Sequence, residues 1–373
     1  MAVPFVNMRA SNSLQLDDYF EELKKIFDGG QFVLGPSVQK FEEQFARYIG
    51  ARYGVGVNSG TDAMLLALNT LGVGPGDEVI CPAFTFGRCA DVVARLGATP
   101  VFVDVKPETY TIDQDMAHAA INARTKAIIA IHLFGMAADI DHLANIARTY
   151  SVSIIEDMRH AAGARVNNRR LGTWGQMAAF SFYPTRTLGA AGDAGMITTN
   201  DEKSADRLRR LREHGRIGAG ASKGTHDMIG YNSRLDSIQA ALLSLKLPEL
   251  DECNAERIDN AQLYTKLFRD SPVQTPIFRD DMSHVYNVYS VLVPERDKLA
   301  AHLTEKGIGH MLYYETPLHL QPAFEYLGYK EGAFPVAEDL ARRSIALPIS
   351  PGLTKHQIQE VASTVLGFYG ANV

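Results

Sequence analysis

Four short stretches hold side chains able to do chemistry. Asn58-Ser59-Gly60-Thr61-Asp62 follows the strand-like Tyr53–Val57 and opens a helical stretch from Met64 to Leu71. A strand, a small polar turn and a helix start present free backbone N–H groups to an anion; the same pattern is also an ordinary helix cap. Glu156-Asp157 closes the apolar run Val152–Ile155. A carboxylate at that place either favours a cation beside it or caps a helix. His160 follows three residues later, as a base or as a packed core or surface residue. Phe180–Gly195 reads as a strand running into a loop marked by Pro184, Gly189 and Gly192, with Ser181 and Arg186 on it. Loops at the edge of a rigid sheet are where chemistry is usually carried. A guanidinium stays charged at ordinary pH. Arg186 can therefore hold a phosphate or carboxylate, but it cannot do the imine and proton-transfer work of a lysine amine.

The elements that position these groups are apolar strands alternating with helices. Strand-like runs occur at Tyr53–Val57, Val79–Pro82, Val101–Val105, Ala127–Ile131 and Val152–Ile155. Near-continuous apolar strands of this kind form a mostly parallel sheet covered on both faces, and ligands sit beyond its carboxyl ends. Phe86, His132, Asp157 and Ser181 fall at or just past such ends. Residues 1–30 read as an arm and a helix, with Leu14, Leu16, Tyr19, Phe20, Leu23 and Phe27 at helical spacing before Gly29-Gly30. Residues 31–250 form the large domain. Residues 251–373 form a smaller α+β domain, with a helix Asn254–Phe268, strands around Val285–Val293 and helices Ala337–Ile345 and Lys355–Tyr369. Ser204–Arg216 is a basic helix, read as a solvated face or an interface, and Gly218–Gly224 is a flexible loop.

The composition narrows the class. The chain has 373 residues, 46% hydrophobic and 21% charged, the balance of a soluble globular protein. Its net charge of -6 argues against a general nucleic-acid binder. Cys81, Cys89 and Cys253 make neither a CxxC pair nor an even framework, which fits a reducing cytoplasm, and no metal site is expected. No signal peptide and no apolar run of bilayer length is read.

These stretches occur in order with Gly35-Pro36-Ser37-Val38-Gln39-Lys40-Phe41-Glu42 and Gly230-Tyr231-Asn232-Ser233-Arg234-Leu235-Asp236-Ser237-Ile238-Gln239. From about Phe32 to Leu366 the chain resembles the DegT/DnrJ/EryC1/StrS sugar aminotransferases. The resemblance implies a fold type I homodimer with shared sites that uses pyridoxal phosphate (PLP) or pyridoxamine phosphate (PMP). It implies Asp157 beside the pyridine nitrogen, Phe86 stacked on the ring, His160 on the cofactor's oxygen, and Gly60, Thr61 and Ser181 on the phosphate. It also implies that Asn232 reaches the neighbouring subunit's phosphate. The substrates it implies are a nucleotide-linked keto-deoxysugar and glutamate, with Arg88, Tyr314 and His319 as possible sugar contacts. Arg186 stands where the family has the Schiff-base lysine, so PLP is expected to bind without a covalent link and ordinary transamination to be crippled. Met136-Ala137, Gly87-Arg88-Cys89 and Met158-Arg159 depart from the family as well. Arg186 is then either a made change in an ordinary aminotransferase or the mark of a naturally diverged member. The alternatives are a PMP-dependent sugar dehydratase with His160 as base, and a non-catalytic binder of cofactor or sugar that partners an active homologue.

Overall fold

The computed structural model describes residues 3–7, 16–216, 225–279 and 281–370. Leu14 and the Gly218–Gly224 loop lie outside them. Seven strands form the central sheet: β1 (Tyr53–Val57), β2 (Glu78–Pro82), β3 (Thr99–Val103), β4 (Thr125–Ile131), β5 (Ser153–Asp157), β6 (Met177–Ser181) and β7 (Gly195–Thr199). Their spatial order is β1-β7-β6-β5-β4-β2-β3. All neighbours are parallel except β7, which runs antiparallel to both β1 and β6.

Alternate residues of these strands enter two different cores, as the pleat requires. Val55, Val79, Cys81, Ile129, Ile155 and Ile197 pack under the helices Gly60–Thr70, Arg88–Arg95 and Glu202–Leu211. Ile80, Ile128, Ala130, Ile154, Phe180 and Met196 pack under the helices Pro36–Ile49, Ile140–Tyr150 and Ser237–Lys246 on the other face. Covering both faces is what allows parallel strands to be apolar throughout.

A third core surrounds an antiparallel pair, β8 (Tyr289–Leu292) and β9 (Ser344–Leu347), under the helices Leu250–Leu267, Arg296–Glu305 and Lys355–Phe368. Sequence spacing runs a helix through Ile345; the helix instead stops at Arg343 and the chain turns straight into β9. Pairing with β8, and a bridge from Ala346 to Met311, select strand for those four residues. The helix expected to run to about Leu250 breaks at Leu247–Glu249, where Pro248 removes an N–H, and a second helix restarts at Leu250. The basic stretch is helical over Glu202–Leu211. Arg212 just beyond it is not solvated: it is buried, ion-paired with Glu42, and donates to the Gly56 carbonyl at 2.8 Å.

Candidate functional site

The carboxyl ends of β4, β5 and β6 lie in register. Ile131 faces Asp157, and Asp157 faces Ala179. Ser181 and Val57 both pair with Gly195, which brings the start of the helix Gly60–Thr70 to the same edge. A side chain at Gly195 would lie 2.3 Å from the Ser59 carbonyl, so only glycine allows this close approach. Ser59 caps the helix through Asp62 N at 3.1 Å. The functional and the capping readings of this turn therefore coexist.

Glu156 and Asp157 point to opposite faces of β5 and do different work. Glu156 accepts from the backbone N–H groups of Gly172, Trp174 and Gly175 at 2.7–2.9 Å and lies 3.3 Å from His132 Nε2. It clamps a loop. Asp157 is fully buried and is held by two arginines. Its Oδ1 accepts from Arg88 Nη2 at 2.7 Å and from the Arg159 backbone at 3.1 Å. Its Oδ2 accepts from Arg159 Nε at 3.1 Å and Nη2 at 2.7 Å. Burial alone would raise this carboxyl, but the charges of Arg159 and Arg88 and the bonds from Arg159 hold it far below the usual carboxylate range.

Arg186 lies on the loop that follows β6. Its backbone N–H donates to the Tyr183 carbonyl at 2.9 Å, which folds the loop back over the sheet edge. Burial and the positive charge of Arg159 both push its guanidinium down, while Tyr314 and Asp157 pull it up. Phe86 is 54% exposed, with Arg159 5.8 Å from its ring centroid and the Tyr314 ring 6.4 Å away. Gly60, Phe86, Asp157, Ser181, Arg88, Arg186 and Tyr314 thus come together, with Arg159 as the residue that ties the group. Thr61 is partly buried on the first helical turn beside them.

Three further expected site residues are His319, Asn232 and His160. His319 is buried 3.0 Å from Glu338 and edge-on to Phe334. Asn232 is exposed; its neighbour Ser233 donates to Asn58 at 3.0 Å. His160 is buried and accepts from the Phe134 N–H through Nδ1 at 3.2 Å. That bond puts the proton of the neutral ring on Nε2, so the remaining ring nitrogen is a donor and not a base.

The residues present do not fit a pyridine ring at Asp157. A carboxylate offers about four lone-pair sites, and the four bonds above fill them. The Arg88 guanidinium also runs from Asp157 to the helix start: a Cβ at Gly60 would lie 2.4 Å from Arg88 Nη1. It occupies the line between the ring's anchor and the expected phosphate cradle. Arg88, expected at the sugar, is instead a structural partner of Asp157. The signal was in the sequence, because Arg88 and Arg159 depart from the pattern on either side of the carboxylate, but nothing in the spacing says that they converge.

The buried histidines make acid a stress on this fold. Burial, with Arg186, Arg159 and Arg88 adding to it, holds His160 well below the usual histidine range, and burial draws His284 down to about 3. Both stay neutral in the fold while the unfolded chain takes up protons below about pH 6.5, so stability falls with pH there. We expect a loss of about 1.4 kcal/mol per pH unit for each histidine below that point. Urea unfolding at a series of pH values between about 7.5 and 5 measures this; a flat profile would show that neither group is held neutral.

The comparisons with known proteins agree with the architecture. The model of the DegT/DnrJ/EryC1/StrS aminotransferase family matches residues 15–366. A "Pleiotropic regulatory protein" of Geobacillus stearothermophilus is 44% identical over 95% of this chain and 98% of its own. A "dTDP-3-amino-3,4,6-trideoxy-alpha-D-glucose transaminase" of Streptomyces venezuelae is 39% identical over 97% of this chain and 95% of its own. The crystal structure of S. venezuelae DesV with a ketimine intermediate superposes with a TM-score of 0.94 at 38% identity, over 98% of both chains. The mostly parallel seven-stranded α/β fold is that of the fold type I sugar aminotransferases. PLP or PMP is the cofactor this family implies. The chain belongs to the DegT/DnrJ/EryC1/StrS aminotransferase family, and so to a class of PLP-dependent enzymes.

Proposed function

We propose that this chain is a naturally lysine-less member of its family, which recognises a nucleotide-linked keto-deoxysugar and does not transaminate it. One observation carries the reading: both oxygens of Asp157 are fully taken by Arg88 and Arg159, with Arg186 as a third guanidinium beside them. A single introduced Arg186, in place of the lysine, would leave Asp157 open. Three arginines acting as one set support divergence rather than a made change. PLP or PMP, the cofactor the family implies, would have to displace Arg88 and Arg159 to reach Asp157, and glutamate's role as donor depends on that displacement. The dehydratase alternative loses support too, since His160 Nε2 bears the proton.

What remains is the non-catalytic alternative, a sugar-binding partner or regulator of an active homologue. The printed name of the Geobacillus relative supports a regulatory role. The names of the sugar transaminases support the ligand class, a nucleotide-linked sugar. We also read the chain as a homodimer, with Asn232 reaching across to the partner. The exposed apolar row Leu16, Phe20, Phe27, Phe32 and Val33 supports a second copy covering that face. Free cysteines and the absence, among the described residues, of a helix able to cross a membrane are compatible with a cytoplasmic setting.

The test is calorimetry with dTDP-glucose and UDP-glucose beside a transamination assay with PLP, glutamate and a nucleotide ketosugar. We expect binding of one sugar nucleotide, no amino transfer, and a particle of twice the chain mass by sedimentation. Turnover above the buffer blank would overturn the reading, as would failure to bind either nucleotide sugar.

A further inference from the structure

The loop that carries Arg186 is fastened by the helices that follow it in the chain. It turns tightly: a Cβ at Gly189 would lie 2.3 Å from the Pro184 carbonyl. Lys246, at the end of the helix Ser237–Lys246, donates to the Gly189 carbonyl at 2.7 Å. Between this loop and the start of the helix Leu250–Leu267 lies a cavity of about 20 Å³. Pro184, Arg186, Thr187 and Leu188 line it from the loop, and Lys246 and Arg257 from the helices. Arg257 is 5% exposed and forms no ion pair among the described residues. Its one hydrogen bond there runs from Nη1 to the Cys253 carbonyl of its own helix at 3.2 Å. Glu249, exposed at the rim, offsets the charge of Lys246. Glu256, the acidic neighbour of Arg257, is exposed and accepts from the Gly352 N–H at 3.0 Å. Burial pushes the Cys253 thiol up, so it stays neutral. Burial also draws the Arg257 guanidinium down to about 10 and the Lys246 amine to about 8, and both remain charged at neutral pH. A buried cation with no counter-charge is strongly destabilising unless an anion joins it.

We propose that this cavity is a binding site for one halide ion, chloride in ordinary salt, held between Arg257 and Lys246. Charge sets the sign of the ligand: Arg257 is the cation without a counterpart, and Arg186 in the opposite wall has the same sign. Size decides the rest. A cavity of about 20 Å³ holds one water-sized species, so a monatomic ion fits and a phosphate or sulfate does not. The guanidinium and ammonium N–H groups supply charge-assisted donors, and Pro184 and Leu188 supply apolar walls. The bound ion ties the helix Leu250–Leu267 to Lys246, and Lys246 in turn holds Gly189. Halide binding thus fastens the loop that bears Arg186, at a place lined by neither Asp157 nor Gly60.

The halide site does not depend on what binds at Asp157, so it stands or falls apart from the proposed function. Its test is urea unfolding of the full-length protein in sodium chloride, sodium bromide and sodium gluconate at equal ionic strength. General screening is the same in the three salts, and gluconate is too large for the cavity. We expect the unfolding equilibrium of the wild type to be at least tenfold less favourable in about 150 mM halide than in gluconate, as binding to the folded state alone requires. Arg257→Met removes the stranded charge and keeps most of the bulk. In gluconate this variant should match or exceed the wild type in stability, and its halide effect should vanish. A wild-type crystal grown in sodium bromide should show an anomalous peak beside Arg257, which reads the site even where the variant does not fold. Equal stability of the wild type in halide and in gluconate overturns the proposal. So does a full halide effect in Arg257→Met, or a water without anomalous signal in the cavity.

Discussion

Arg186→Lys will not by itself produce a Schiff-base absorption band with PLP, whereas Arg88→Ala/Arg159→Ala/Arg186→Lys will. The amine is only one of the needs of the chemistry. A lysine at 186 can form an imine, but the pyridine nitrogen still requires a free oxygen of Asp157. In the single variant both oxygens keep their bonds to Arg88 and Arg159. Removing both side chains frees the carboxylate and empties the space between Asp157 and Gly60. We expect the triple variant to bind PLP at least about 100-fold more tightly than the single one, about 2.7 kcal/mol. Spectrophotometric titration followed by borohydride reduction reads this, with the pyridoxyl adduct located by mass spectrometry. A strong, reducible band in Arg186→Lys alone would show that PLP displaces the arginines. The saturated carboxylate would then not be the barrier we take it to be.

Asp157→Asn is expected to destabilise the fold severely, by about 3–5 kcal/mol, the usual cost of removing one partner of a buried ion pair. The amide keeps the shape. It loses the charge that two buried guanidinium groups depend on, and it turns an N–H₂ towards donors. Replacing the whole triad is different. Asp157→Asn with Arg88→Leu and Arg159→Leu removes the stranded charges, and such apolar replacements are often neutral or stabilising. We expect it to recover most of the loss in chemical denaturation. An Asp157→Asn protein as stable as wild type would mean that water reaches these groups and that the cluster is not the closed unit described above.

Both variants turn on how Asp157 is partnered, which sequence reasoning left between a cation's partner and a helix cap. A carboxylate at the end of an apolar strand was expected to serve a cation, and it does. The cation is the protein's own. Arg88 lies 69 residues from Asp157. It arrives because β2 and β5 flank β4 in the sheet, an order that no local pattern states. His160 was read as a base or as a packed core or surface residue; it is buried, and one backbone bond from Phe134, 26 residues away, orients its ring.

By itself the sequence determined the alternation of strands and helices, the loop that bears Arg186 and the family to which these motifs belong. Those properties follow from apolar periodicity and from Gly, Pro and Ser placed at turns, all local in the chain. Tertiary structure decided β9, whose Ser344–Leu347 becomes a strand against β8 and Met311. It also decided what fills the ring's place. Charge neutralisation in a buried site is settled between side chains from different strand ends, and their meeting is a property of the folded sheet.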